Sequence, residues 1–195
     1  MPVVSGSSGR GVASSLAPLM GMQYIELESR RFPDGEGYVR VPTEAIDAVR
    51  SEPVVLVSNT YPDSGIVSTL LLLEAIADVR RGDLSNLKGE EPQSMDDVGG
   101  GVFLAIPYYG YSRQDKRFSK GEAISARVIA EILARGCDGI AILDLHEPAV
   151  LEGMDVPIEF VSSMPEIAEL LQSEVSPDFV LSPDKGAISR ATEVA

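Results

Sequence analysis

The sequence predicts an α/β protein: an open, mainly parallel sheet flanked by helices, with a β-hairpin projecting near residues 29–41. Three observations predict it. Short apolar runs alternate with longer segments of helical periodicity, the order that parallel strands with right-handed crossovers require. The apolar residues are mostly Val, Ile, Leu and Ala, with aromatics at 6% and no tryptophan, so the core is aliphatic. Polar, charged segments directly follow the apolar runs, where open α/β sheets bind their ligands.

The elements follow in order. Residues 2–4 read as a strand, about 9–20 as a helix and 23–27 as a second strand. Arg31-Phe32 and Tyr38-Val39-Arg40-Val41 flank Pro33-Asp34-Gly35, a turn signal that predicts the hairpin. Residues 53–58 form a buried strand. A helix over 64–80 places Ile66, Val67, Leu70, Leu73, Ile76 and Ala77 at helical spacing. Asp63 can cap its start, and Arg80 and Arg81 sit at its negative end before Gly82. Val102–Ile106 is a strand, followed by a polar loop to Glu122. A helix over 123–135 carries Ile124, Val128, Ile129, Ile132 and Leu133 on one face and ends at Gly136. Then come a strand over 139–144, an apolar run at 157–161, a helix at 164–174, a strand at 178–182 and a helix at 187–194. Residues 82–101, rich in Gly, Asp, Glu, Ser and Pro, read as an exposed, flexible insertion without chemistry. There is no internal repeat.

Charge and cysteine usage narrow the function classes. Thirty acidic residues against 16 basic ones leave a net charge of -14, which repels phosphate backbones and argues against nucleic-acid binding. The basic residues are 12 Arg and 4 Lys; an acid-rich, lysine-poor chain is expected to be adapted to high salt. The single cysteine, Cys137, excludes a disulfide within the chain and reads as a small buried side chain. The N-terminus lacks the layout of a signal peptide, and no apolar run reaches the roughly 20 residues that span a bilayer. A cytoplasmic protein without a membrane partner is the expectation.

Three segments at strand ends carry the chemistry. In Tyr108-Tyr109-Gly110-Tyr111-Ser112-Arg113-Gln114-Asp115-Lys116-Arg117-Phe118-Ser119-Lys120, four of the 16 basic residues fall within positions 113 to 120. Arg offers a bidentate fork and Lys a mobile point charge, a combination suited to a polyphosphate; the plainer reading is a solvated basic loop. Asp144-Leu145-His146 ends the 139–144 strand. Alternation along a strand would point Asp144 and His146, the sole histidine, the same way. Mg²⁺ prefers oxygen ligands, so Asp144 is the better metal candidate and His146 the better phosphate or metal-water contact. In Ser182-Pro183-Asp184-Lys185-Gly186, Asp184 can approach the same crevice or simply cap the helix that follows. Gly6-Ser7-Ser8-Gly9-Arg10-Gly11 opens a helix but matches neither a dinucleotide fingerprint nor a P-loop. No serine has a histidine in a recognisable nucleophile motif.

Taken in order, these segments resemble the ribose-phosphate diphosphokinases, the PRPP synthetases. Arg31-Phe32-Pro33-Asp34-Gly35-Glu36 is similar to the family's Arg-Phe-x-Asp-Gly-Glu hairpin. Ile106 to Asp115 resembles its Pro-Tyr-x-x-Tyr-x-Arg-Gln-Asp segment. Asp144-Leu145-His146 matches its Asp-Leu-His, and Ser182-Pro183-Asp184 its Ser-Pro-Asp.

The resemblance implies a type I phosphoribosyltransferase-like fold and a reaction: transfer of the β,γ-diphosphoryl group of ATP to the 1-hydroxyl of ribose 5-phosphate, with Mg²⁺, giving PRPP and AMP. It implies that Phe32, Asp34 and Glu36 bind adenine, Phe32 stacking on the base. Arg113 and Gln114 hold ATP from the other side. Asp144, His146 and Asp184 place metal and phosphates, and Lys116, Arg117 and His146 stabilise the reacting charge. In the family the hairpin reaches into a neighbouring subunit's site, implying a homo-oligomer, commonly a hexamer built from dimers. Residues 1–150 correspond to the first domain, and 151–195 to the beginning of a second.

Two departures stand out. Ala187 occupies the place of a glycine that often follows Ser-Pro-Asp-x-Gly. Family members run to roughly 300 residues in two α/β domains, and neither the mobile Lys/Arg loop nor the Asp-Asp-x-x-x-Thr-Gly-Gly loop that grips ribose 5-phosphate occurs in these 195 residues. The chain alone is therefore expected to bind ATP weakly and not to make PRPP. A regulatory, non-catalytic paralogue that co-assembles and binds nucleotide is one alternative, and a type I phosphoribosyltransferase relative another.

Overall fold

In the computed structural model, residues 1–82, 84, 100–175 and 177–195 are described. Most of the expected 82–101 insertion lies outside the described residues. The chain divides into two compact units, Met1–Phe160 and Val161–Ala195.

The first unit is built on a sheet of six strands. In chain order these are β1 (Val3–Ser5), β2 (Tyr24–Glu26), β5 (Val54–Val57), β6 (Val102–Ile106), β7 (Gly139–Leu143) and β8 (Ile158–Val161), after the hairpin strands β3 (Glu28–Arg31) and β4 (Gly37–Arg40). Their order across the sheet is β2-β1-β5-β6-β7-β8. The β2, β1, β5, β6 and β7 pairings are parallel, with Leu56 opposite Leu104 and Leu104 opposite Ile140. Strands covered on both faces read as continuous apolar runs, as β5 does.

One face carries α2 (Ile46–Ser51), α3 (Asp63–Arg81) and α4 (Ser125–Leu133). There Val49, Leu72, Leu73, Ile76 and Leu133 pack on Val54, Leu56, Leu104, Ile106 and Ile142, all buried. On the other face α1 (Arg10–Leu19) covers Val3 and Val57 with Ala13 and Ala17. Beyond α1, Leu16, Met20, Phe103, Ala105, Ala141 and Ile158 line an apolar groove of about 420 Å³, and Phe103 is 43% exposed in a central strand.

Several details differ from expectation. The α3 stripe is met in part, with Ile66, Leu73 and Ile76 buried as expected, and the α4 stripe is out of phase. In α3, Val67 faces out while Thr69 and Leu72 are buried. In α4, Val128 and Ile132 face out while Ala126, Ala130 and Leu133 are buried. A one-residue error in phase turns a helix by about 100°, and the close approach that small residues allow put the alanines inward. Asp63 does not cap α3; the N-cap is Pro62, without a side-chain cap. Gly82 does end α3, in the left-handed conformation at φ 74°. Arg80 does more than answer the helix dipole: it is buried, donating to the carbonyls of Val49 (3.0 Å), Glu52 (2.8 Å) and Gly100. Desolvation lowers its pKa, and those carbonyls tie the end of α3 to α2. Helix α2 itself is unannounced by the sequence pattern.

The second unit holds α5 (Met164–Glu174) and α6 (Ile188–Val194), which pack on each other. Among its described residues none is buried. The expected strand at 178–182 does not form among them: Phe179 is 85% exposed and Leu181 87%. A strand needs a ladder partner for its backbone polar groups, and none of the described residues of this unit supplies one.

Candidate nucleotide site

The site follows from what parallel strands do at their carboxyl ends. Loops leaving β1, β5, β6 and β7 emerge on one edge of the first unit, on neighbouring strands, and hydrogen bonds lock the first three together. Asn59 Nδ2 donates to the Ser8 carbonyl (2.8 Å), and Asn59 Oδ1 accepts from Tyr108 N (2.9 Å). Thr60 N donates to the Tyr108 carbonyl (3.1 Å), and Thr60 Oγ1 accepts from Gly110 N (2.7 Å). Ser58 Oγ, fully buried, lies 3.2 Å from Ser8 Oγ and 2.8 Å from Thr69 Oγ1.

These closures explain two glycines. A Cβ on Gly9 would stand 2.0 Å from the Val57 carbonyl oxygen, and one on Gly110 would stand 2.3 Å from that of Thr60. The glycine-rich segment at 6–11 thus owes Gly9 to packing. The rim formed by Ser58 to Asp63 escaped the sequence reading. Its signal was present: a polar Ser-Asn-Thr run directly after an apolar strand.

The basic segment stands on this rim. Tyr109 is buried and its hydroxyl donates to the Ala126 carbonyl (2.7 Å), pinning the loop to α4; desolvation drives its pKa up. Tyr111 adopts φ 64°, a left-handed conformation that costs a non-glycine residue on the order of 1–3 kcal/mol. Its hydroxyl donates to Asp63 Oδ1 (2.8 Å), which raises its pKa. Asp63, expected as a helix cap, therefore works as a loop anchor.

Gln114 takes Tyr111's carbonyl with its N–H (3.0 Å) and gives its own to Ala126 N (3.3 Å). Its Nε2 donates to the Lys116 carbonyl (3.2 Å). Glu122 Oε2 closes the turn beyond, accepting from Phe118 N (2.6 Å) and Ser119 N (3.0 Å), while Arg117 Nε donates to Glu122's carbonyl (2.8 Å). Those two backbone N–H groups, Ser119's foremost, hold Glu122's pKa below the ordinary carboxylate value. Arg113, Lys116, Arg117 and Lys120 are all exposed. They form a cationic surface held by backbone, not a cluster neutralised by local carboxylates: among the described residues none of the four has an ion-pair partner.

Asp144-Leu145-His146 begins one residue beyond the end of β7. Asp144 has φ 50°, so alternation along a strand does not relate it to His146, and that inference is corrected. Leu145 is buried and His146 exposed. His146 Nδ1 lies 2.9 Å from Asp115 Oδ2, whose side chain is only 6% exposed. The basic segment and the Asp-Leu-His segment thus meet through this contact. Among the described residues no three His, Cys, Asp or Glu side chains gather as a metal-holding group.

The other expected residues stand elsewhere. Phe32, Asp34 and Glu36 occupy the tip of the β3–β4 hairpin. It is paired from Glu28–Arg40 to Arg31–Gly37 and rests on α3. Asp34 Oδ1 accepts from Glu36 N (3.1 Å), and Gly35 turns at φ 94°. Phe32 is 5.9 Å edge-on from Tyr38, with Arg30 over both rings. Among the described residues, no hydrogen bond, ion pair or ring contact joins these three to residues 113–120. Asp184 belongs to the second unit, where its Oδ1 accepts from Ala187 N (3.0 Å) as the cap of the turn that leads into α6. The plainer of its two expected roles is the one it fills there.

Residues 100–136, which include the whole basic segment, match the family model of the N-terminal domain of ribose phosphate pyrophosphokinase. A ribose-phosphate pyrophosphokinase of Methanothermobacter thermautotrophicus is 37% identical over 196 residues, 99% of this chain and 60% of the relative. This chain is similar in sequence to the ribose-phosphate pyrophosphokinases.

The pyrophosphokinase of Halobacterium salinarum is 32% identical across 98% of the chain and 60% of its own length. That of Sulfurisphaera tokodaii is 30% identical across 100% and 60%. The chain thus spans about three fifths of the length of the pyrophosphokinases it matches. The crystal structure of phosphoribosylpyrophosphate synthetase from Mycobacterium smegmatis shares the fold, with a TM-score of 0.75 at 21% identity over 98% of this chain and 59% of that one.

Proposed function

We propose that this chain carries the nucleotide-binding part of a ribose-phosphate pyrophosphokinase, which transfers the β,γ-diphosphoryl group of ATP to the 1-hydroxyl of ribose 5-phosphate and yields PRPP and AMP. The observation that supports it most is the meeting of Arg113–Lys120 with Asp144-Leu145-His146 at the ends of adjacent parallel strands, joined by the 2.9 Å Asp115–His146 contact. Diphosphoryl transfer asks little covalent chemistry of the protein; it asks for alignment and for neutralisation of spreading negative charge.

In this reading Arg113, Lys116 and Arg117 grip the triphosphate, Gln114 stiffens the loop that carries them, and His146 meets a phosphate oxygen. Arg117 spends its Nε on Glu122, which fixes the plane of its guanidinium and aims the remaining donors outward. With one carboxylate and one imidazole just beyond β7 and, among the described residues, no closed cage of ligands, the residues fit a Mg²⁺ ion that takes most of its oxygens from phosphate and water. Asp144 and His146 would hold it. The bound ion supplies charge neutralisation on the phosphates. Phe32, Asp34 and Glu36, at a hairpin tip whose hydrogen bonds and ring contacts stay within the hairpin, fit the adenine site of a neighbouring subunit, and so a homo-oligomeric, cytoplasmic enzyme. Residues of the second unit would begin a second phosphoribosyltransferase-like domain.

The test is titration of the chain with MgATP. Phe32→Ala should weaken binding at least fivefold while the melting temperature stays within a few degrees; unchanged affinity in a folded variant would remove the adenine assignment. AMP release from ATP and ribose 5-phosphate should be absent or far below a normal turnover rate with this chain alone.

A further inference from the structure

We propose that Asp115 is a positioning residue that fixes His146 in the tautomer protonated at Nδ1, so that the Nε2 lone pair faces outward. The proposal rests on His146 as the phosphate- or metal-facing group, and it assigns to Asp115 a task that the basic loop's charge does not perform.

The geometry is specific. Asp115 Oδ2 and His146 Nδ1 are 2.9 Å apart across 31 residues of sequence. The two side chains differ sharply in exposure, 6% for Asp115 and 47% for His146. Asp115 sits between Gln114, whose main chain is bonded to Tyr111 and Ala126, and the Glu122-closed turn, so its backbone has little freedom. A carboxylate accepts and does not donate, so the nitrogen that faces it must carry the hydrogen. A neutral imidazole has one hydrogen, and placing it at Nδ1 leaves Nε2 as an acceptor. His146 is a hydrogen-bond partner of this nearly buried carboxylate, and burying a carboxylate without any partner is costly. The pair therefore constrains both residues: Asp115 gains its donor, and the ring is held with Nε2 toward solvent. Ligand histidines of metal sites are oriented by such a carboxylate in general.

Because His146 is the sole histidine, the experiment is unambiguous. The full chain, labelled with ¹⁵N, is examined by long-range ¹H–¹⁵N correlation at about pH 8, above the ordinary pKa of imidazole. The expected result without ligand is a pyrrole-type Nδ1 and a pyridine-type Nε2. A ring protonated mainly at Nε2, or at both nitrogens, would overturn the proposal. Asp115→Ala should shift the ring toward the Nε2–H form while the amide spectrum stays that of a folded protein; an unchanged tautomer in the folded variant would also overturn it. Should Asp115→Ala unfold, Asp115→Asn serves as the isosteric variant and should lower the fraction of the Nδ1–H form; the wild-type spectrum decides in either case. Addition of MgATP separates the two ideas. Movement of the Nε2 resonance supports the nucleotide site, whereas a fixed Nε2 resonance with Nδ1–H intact counts against that site and leaves the role of Asp115 standing.

Discussion

The two units of this chain bury their side chains very differently. Met1–Phe160 has a continuous aliphatic core in which Leu56, Leu72, Ile76, Leu104 and Ile142 are shut off from solvent. Val161–Ala195 has two packed helices and, among its described residues, no buried side chain. The same contrast runs through their candidate site residues. In the first unit, Arg113 to Lys120 and His146 hang on a rim closed by Asn59, Thr60, Tyr109 and Glu122. In the second, Asp184 caps a short turn and Leu181 beside it stands in solvent. Strand-end chemistry is well positioned where a completed sheet stands beneath it, and a matching motif alone does not supply that sheet.

The largest test of this contrast is in the cores. Leu104→Ala should cost the first unit about 2–5 kcal/mol, the loss of buried contacts plus an unfilled cavity. Leu170→Ala, on an exposed position of α5, should change stability by less than about 0.5 kcal/mol. Equal effects in thermal or urea unfolding would break the comparison.

Alkaline pH offers a smaller test. Burial pushes the Cys137 thiol from 9.0 up to about 11 and raises the Tyr109 phenol as well. Their protonated forms are retained in the folded state, so this stability is complete below about pH 9 and is lost as pH rises toward 11. The unfolded chain releases those protons first. The Cys137 part is on the order of 2 kcal/mol. Unfolding of the first unit should become easier over that range, less so in Cys137→Ala, whereas the second unit contains neither residue type. A flat stability profile from pH 8 to 11 would contradict the assignment.

Smallest in stability is Glu122→Ala. The carboxylate is exposed, so the melting temperature should hardly move. Loss of its bonds to Phe118 and Ser119 should loosen the cationic turn and weaken MgATP binding by about threefold to tenfold, in keeping with one or two lost hydrogen bonds. Retained affinity would show that the turn needs no brace.

Much of this was legible in the sequence because the signals were local. The apolar runs at 102–106 and 139–143, the hairpin around Pro33-Asp34-Gly35 and helix Met164–Glu174 lie at or within a residue or two of where pattern and turn chemistry put them. What was not legible depended on partners far along the chain. Helix phase failed in α4 and was met only in part in α3, because burial is decided by the sheet beneath: Ala126 and Ala130 face it and Val128 does not. The strand at 178–182 failed for lack of a neighbouring strand among the described residues of its unit. Asn59, Thr60 and Asp115 went unassigned because their partners lie 31 to 51 residues away. The spacing of Asp144 and His146 misled because β7 ends at Leu143, one residue short of the strand expected to 144, and Asp144 turns away at φ 50°.

The central claim is that the exposed cations of the 113–120 segment grip a triphosphate. It is tested most directly by titrating MgATP into the full chain and into the combined Arg113→Ala, Lys116→Ala, Arg117→Ala variant, with Lys185→Ala of the second unit as the control. Charge-assisted hydrogen bonds of about 1.5–3 kcal/mol each predict that the triple variant loses at least tenfold in affinity. The control should bind as the unaltered chain does. A folded triple variant with undiminished affinity, or a control that loses as much, would contradict the account.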